Sequence, residues 1–131
     1  MKFELATPNR MLVSTDVEEV VAPGVEGYFG VLPGHAPLLT TLGSGEVTYR
    51  SGRNEQHLLV AGGFAEVLRD RVIVLAETAE RPEEIDLERA KEARQRAEAI
   101  LRGNPADVEF EQAQQSFRKA LIRLQVHEHR D

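Results

Sequence analysis

Two arginines seven residues apart, Arg89 and Arg96, have the type and spacing to do chemistry. On a helix, a separation of seven turns both side chains to the same flank. A guanidinium is a rigid fork of donors that matches phosphate oxygens, so one reading of the pair is an anion site. Asp86 lies three residues before Arg89, within ion-pair reach on a helix. The other reading is ordinary: charges that flank a helical interface and pair with Glu109 or Glu111, each pair contributing about 0–1 kcal/mol. The residues alone leave both readings open.

Other chemistry is excluded more readily. The chain has no cysteine, hence no disulfide, no thiol nucleophile and no zinc-thiolate site. It contains no G-x-x-x-x-G-K-[ST] phosphate loop and no G-x-S-x-G nucleophile turn. Its four histidines are His35, His57, His127 and His129. The last two are spaced for one face of an extended tail, and no third metal ligand accompanies them. His35, between glycine and alanine, reads as a loop hydrogen-bonder. Nothing assembles a nucleophile, a base and an oxyanion stabiliser, so the chain reads as a non-enzyme. A net charge of −6 argues against nucleic acid as a partner. No apolar run approaches the roughly 18 residues that span a bilayer, and Met1-Lys2-Phe3-Glu4 is not a signal peptide pattern. The expectation is a soluble protein that reaches a membrane only through a partner.

The elements that must position these residues change type once, between Glu77 and Asp86. Before that point lie nine of the ten glycines and a series of short apolar runs. Strands are expected over Phe3–Ala6, Val17–Ala22, Tyr28–Leu32, Glu46–Arg50, His57–Ala61, Phe64–Leu68 and Val72–Ala76. Turn chemistry at Pro23-Gly24, Ser51-Gly52-Arg53-Asn54 and Arg69-Asp70 separates them. Many short strands without helical interruption favour a sandwich or a flattened barrel. Gly62-Gly63 marks a bulge or a close backbone approach. In Leu32-Pro33-Gly34-His35-Ala36-Pro37 the prolines fix φ while Gly34 permits a turn. That segment is either a structural corner or a surface loop stiffened for docking.

After the switch, apolar residues recur at spacings of three and four. Leu87, Ala90, Ala93, Ala97, Ile100 and Leu101 fall on one stripe, and Phe110, Ala113, Phe117, Ala120, Leu121 and Leu124 on another. Gly103 can end the first helix, and Asn104-Pro105 or Asp107 can start the second. The two should meet as an antiparallel pair. The first stripe is mostly alanine, which buries little area at about 25 cal/mol per Å². Such a piece should be marginal alone and take stability from docking, which would let it populate two arrangements.

The chain resembles the epsilon subunit family of the F-type ATP synthase, essentially from end to end. The resemblance rests on GVLPGHAPLLT at Gly30–Thr41, AGGFAEV at Ala61–Val67, VIVLAETAER at Val72–Arg81 and IDLERA at Ile85–Ala90. It implies a β-plus-α architecture: an N-terminal ten-stranded β-sandwich over residues 1–84, then a C-terminal antiparallel two-helix hairpin over 85–131. It implies a non-catalytic place in the central stalk, bound to the gamma subunit and seated on the c-ring, below the alpha/beta catalytic head, on the cytoplasmic face of a bacterial inner membrane. It implies C-terminal helices that extend and inhibit ATP hydrolysis. No cofactor is required, but ATP is a candidate regulatory ligand through a motif of the form I/L-D-x-x-R-A. The resemblance then assigns ATP contact to Glu80, Asp86, Arg89, Ala90, Arg96, Lys119 and Arg123, with Arg118 adjacent. It assigns c-ring and gamma docking to Glu26, Tyr28, Phe29 and His35. Where many members have G-E-L-G, this chain has Gly27-Tyr28-Phe29-Gly30. Either both aromatics face the partner, or Phe29 packs inward and Tyr28 alone is presented. A stand-alone adaptor that clamps with the hairpin is the alternative class.

Overall fold

A computed structural model describes residues 1–130 of the chain. The chain divides into two compact units, Met1–Arg81 and the part from Pro82 onward.

The first unit is one hydrogen-bonded sheet folded over its own core. Its strands are β1 (Lys2–Ala6), β2 (Met11–Asp16), β3 (Glu19–Gly24), β4 (Gly27–Val31), β5 (Leu38–Thr41), β6 (Ser44–Ser51), β7 (Asn54–Val67) and β8 (Arg71–Glu80). Their order is β2-β1-β8-β7-β6-β3-β4, and β5 pairs with β7. Strand alternation puts Phe3, Leu5, Val20, Val47, Val60, Val67, Val72 and Val74 inside, where they are fully buried. β-branched valines suit a pleated sheet surface, which is why they dominate this core.

The expected ten strands resolve as eight. β7 absorbs His57–Ala61 and all of Phe64–Leu68 but its last residue, because the glycines between them turn the strand without ending it. Gly62 and Gly63 sit at φ +70° and +105°, a region that glycine enters readily. A Cβ on Gly63 would collide with the carbonyl of Leu75. The ladder to β8 keeps its register across the bend, with Ala61 opposite Thr78 and Gly63 opposite Ala76. The inward face nevertheless changes parity: Leu58 and Val60 are buried before the bend, Ala65 and Val67 after it. β5 and β6 run end to end along the same side of β7. The sequence reading also missed β2 and β5.

The end of β8 is pinned. The Arg81 guanidinium donates to the Leu12 carbonyl at 3.0 Å, and Arg10 donates to the Ala79 carbonyl at 3.2 Å. At the other end, the amide of Gly34 donates to the Arg69 carbonyl, which ties the proline-rich loop to the β7–β8 turn.

The second unit opens with a 3-10 turn at Pro82–Glu84, which packs on α2. Then follow α1 (Leu87–Arg102) and α2 (Asp107–Glu128). Asp86 caps α1, and the amide of Gly103 closes it on the Ala99 and Ile100 carbonyls. Asn104, at φ +55°, makes the left-handed step that reverses the chain. α2 runs through His127, so that residue is helical and not part of an extended tail as the spacing suggested. Ala90 and Ala97 of α1 and Ala113 and Ala120 of α2 are the buried alanines of the pair. Ile100, Phe110 and Leu121, placed on the stripes by periodicity, are exposed. The closest buried positions of the pair are therefore these alanines, with Val126 of α2 also buried and Leu87, Leu101, Phe117 and Leu124 half-buried beside them.

Candidate functional site

The arginines stand as the spacing predicts, on an exposed flank of α1, but Asp86 does something else. Its Oδ1 accepts the backbone N–H of Arg89 at 3.1 Å, as an N-cap. The expected ion pair with the Arg89 side chain is replaced by this cap, because an extended residue before a helix points its carboxylate at free amides. Neither the Arg89 nor the Arg96 guanidinium has a partner among the described residues. The expected pairing with Glu109 or Glu111 does not form there. Instead, Arg96 and Glu109 stand on opposite walls of a groove of about 410 Å³ between the helices. Ala93, Ala97, Ile100, Gln112, Ala113 and Ser116 complete it. With Ala97 and Ala113 at one level in an antiparallel pair, a rise of about 1.5 Å per residue sets Arg89 level with about residue 121. That is the stretch holding Lys119, which is exposed, and Arg123, which is half-buried. Arg118 is exposed beside them. Ala90 is buried in the helix contact. Glu80, by contrast, is the last residue of β8 and lies opposite Leu59 in the sheet.

In the β unit, Glu26 is exposed in the β3–β4 turn. Of the two packings open for Phe29, the inward one is found. Phe29 packs against the core, while Tyr28 remains largely exposed. Tyr28 is nevertheless held in place: its hydroxyl accepts the amide of Glu46 at 3.0 Å. A Cβ on Gly45 would strike that hydroxyl, so glycine there makes room for the ring. The His35 amide donates to the Leu32 carbonyl at 3.1 Å, and its Nδ1 lies 2.6 Å from the Ala36 carbonyl. It is a loop hydrogen-bonder, as its neighbours suggested.

The structure adds a feature that sequence reading missed. Thr41, Phe64, Leu75, Ala6 and Met11 occupy directly paired positions on β5, β7, β8, β1 and β2. All lie on the outward face, opposite in parity to the core residues beside them. Phe64 is 58% exposed, Leu75 52% and Met11 54%, with Leu39 at 71% one outward position along β5. Exposed single apolar residues are common, but an aligned row of them marks an interaction surface. The signal was present as large apolar residues at positions out of phase with the core, but their alignment depends on pairing between distant segments.

Comparison with known proteins decides the family. Residues 1–82 match the model for the ATP synthase, Delta/Epsilon chain, beta-sandwich domain. Residues 83–128 match that for the ATP synthase, Delta/Epsilon chain, long alpha-helix domain. The chain belongs to the ATP synthase delta/epsilon chain family. Among members of this family, it is 51% identical to ATP synthase epsilon chain 2 of Syntrophotalea carbinolica, over 96% of this chain and 92% of that one. It is 50% identical to the ATP synthase epsilon chain of Geobacter metallireducens, with the same coverage. A chain in the Euglena gracilis mitochondrial ATP synthase (OSCP/F1/c-ring) superposes with a TM-score of 0.70 at 25% identity, covering 96% of this chain and 76% of that one. A chain of the Tetrahymena thermophila mitochondrial ATP synthase central stalk/c-ring shares the fold, with a TM-score of 0.63 at 14% identity, covering 96% and 95%. The delta/epsilon family thus accounts for both units, in order, over nearly the whole chain.

Proposed function

We propose that the chain is the epsilon subunit of a bacterial F-type ATP synthase. It is a non-catalytic part of the central stalk that couples c-ring rotation to the catalytic head. The observation that carries this reading is the match of both units to the family, at about half identity to epsilon chains across 96% of the sequence. The exposed row centred on Phe64 and Leu75 is the face offered to the gamma subunit. The Glu26–Phe29 turn and the His35 loop are offered to the c-ring. No described helix is long and apolar enough to cross a membrane. Its place at the cytoplasmic face of the inner membrane is therefore held through the complex. The test is assembly: the tagged full chain should co-purify with gamma and with membranes. Recovery of the chain free of gamma and of membranes would sink the reading and favour an adaptor.

The helical unit supplies the regulation in this reading. Its helices meet over alanines and leave a groove, so the pair is weakly held and can yield to an extended form that blocks hydrolysis. ATP is a regulatory ligand and not a substrate. The Arg89 and Arg96 guanidinium groups offer it forked donors, with Lys119 and Arg123 from α2. Asp86 acts by fixing the start of α1, and Ala90 by keeping the helices close. Glu80 is assigned to the same ligand by resemblance. Calorimetric titration with ATP tests this part. Arg89→Ala should lower affinity by about tenfold or more, since a hydrogen bond to a charged group is worth roughly 1.5–3 kcal/mol. No heat with the parent chain at millimolar ATP would remove nucleotide sensing and leave the stalk role intact.

A further inference from the structure

The outward row on the β unit has edges as well as a centre. Along β7, the next outward position after Phe64 is Glu66; along β8, the next after Leu75 in the opposite direction is Glu77. Both carboxylates are exposed, and neither has a partner among the described residues. Glu4 shares the Glu66 side of the row but is engaged by Arg71 at 3.5 Å. The apolar row therefore has one unpaired carboxylate on each side, Glu66 and Glu77, with the Arg71–Glu4 pair farther out on the first side and Arg10, at the Ala79 carbonyl, farther out on the second. Outward positions two residues apart on a strand are separated by about 7 Å. The row itself crosses five strands at about 4.8 Å each, or about 19 Å. An α-helix about 10 Å wide, with about 13 residues over that length, fills such a track.

We infer that the segment of the gamma subunit seated on this row is an α-helix lying across the strands, with an apolar ridge over Phe64 and Leu75 and basic side chains on both flanks facing Glu66 and Glu77. This rests on the reading of the row as the gamma-docking face and adds the chemistry of what docks. The apolar centre sets how long the complex lasts, and the rims set how fast it forms.

The test measures association and dissociation of the full chain with purified gamma subunit at about 0.01 M and about 1 M salt, where the screening length falls from about 30 to about 3 Å. Glu66→Gln/Glu77→Gln should slow association about tenfold at low salt and match the parent at high salt. Phe64→Ala should speed dissociation at both. If the double variant associates as fast as the parent or faster at low salt while Phe64→Ala still dissociates quickly, the basic-flanked helix is overturned and docking on the row stands. If Phe64→Ala also behaves as the parent does, the row is not the docking face and both readings fall.

Discussion

Single residues in this chain do work that their types alone do not announce. Asp86 is the clearest case. It looks like the acidic partner of Arg89, yet its carboxylate closes a free amide at the head of α1. Asp86→Ala should therefore cost about 1 kcal/mol of helix stability, while Asp86→Asn, which keeps an acceptor oxygen, should cost little. Thermal melts followed by circular dichroism will separate the two; equal losses in both variants would mean that the charge, not the cap, is what counts. Arg89 and Arg96 were legible from their spacing, because a helix of any sequence repeats its faces every seven residues. The role of Asp86 was not legible, because an ion pair and a cap use the same interval of three. Tyr28 carries a similar lesson. Its exposure was open to reading, but the hydrogen bond its hydroxyl accepts from the Glu46 amide required pairing between segments 18 residues apart.

At the scale of elements, helices were easier to read than strands. The alanine stripes carry a local period, and both helices follow it. Strand β5 was hidden directly after the Pro33–Pro37 loop, since four residues show too little alternation to distinguish a strand from an extended linker. β7 was read as two strands because Gly62-Gly63 looks like punctuation; the paired partner β8 carries the ladder through it. That bend admits only glycine at its tightest point. Gly63→Ala should destabilise the β unit by about 2–3 kcal/mol, from positive-φ strain and collision with the Leu75 carbonyl. Gly52→Ala, also at positive φ but with open space around its Cβ position, should cost less. Urea midpoints measured on both variants check the order, and a reversed order would contradict the account of the bend.

At the scale of the whole chain, the two units differ in how they are held together. The β unit encloses a continuous core of large apolar side chains. The helical unit buries four alanines and few larger side chains, Val126 and Ile85 among them, and alanine contributes little buried area. Residues 1–81 expressed alone should fold with a cooperative thermal transition, whereas residues 82–131 alone should show low helicity in dilute buffer. A cooperative melt of the isolated helical piece would refute the marginal hairpin. This asymmetry was legible in composition, since valine-rich runs precede the switch and alanine-rich ones follow it. The division falls between Arg81 and Pro82, a few residues before the 84/85 boundary expected from sequence, because the turn at Pro82–Glu84 packs on α2.

The side-chain bonds from Arg81 and Arg10 give the end of β8 a mechanical character. β8 lies between β1, its parallel neighbour, and β7, its antiparallel one. Tension applied at Pro82 along the strand axis would load both ladders in shear, so many bonds must yield together and none can be peeled off singly. The chain therefore leaves the β unit through a rivet, and a pull delivered there meets resistance before the sheet begins to unravel.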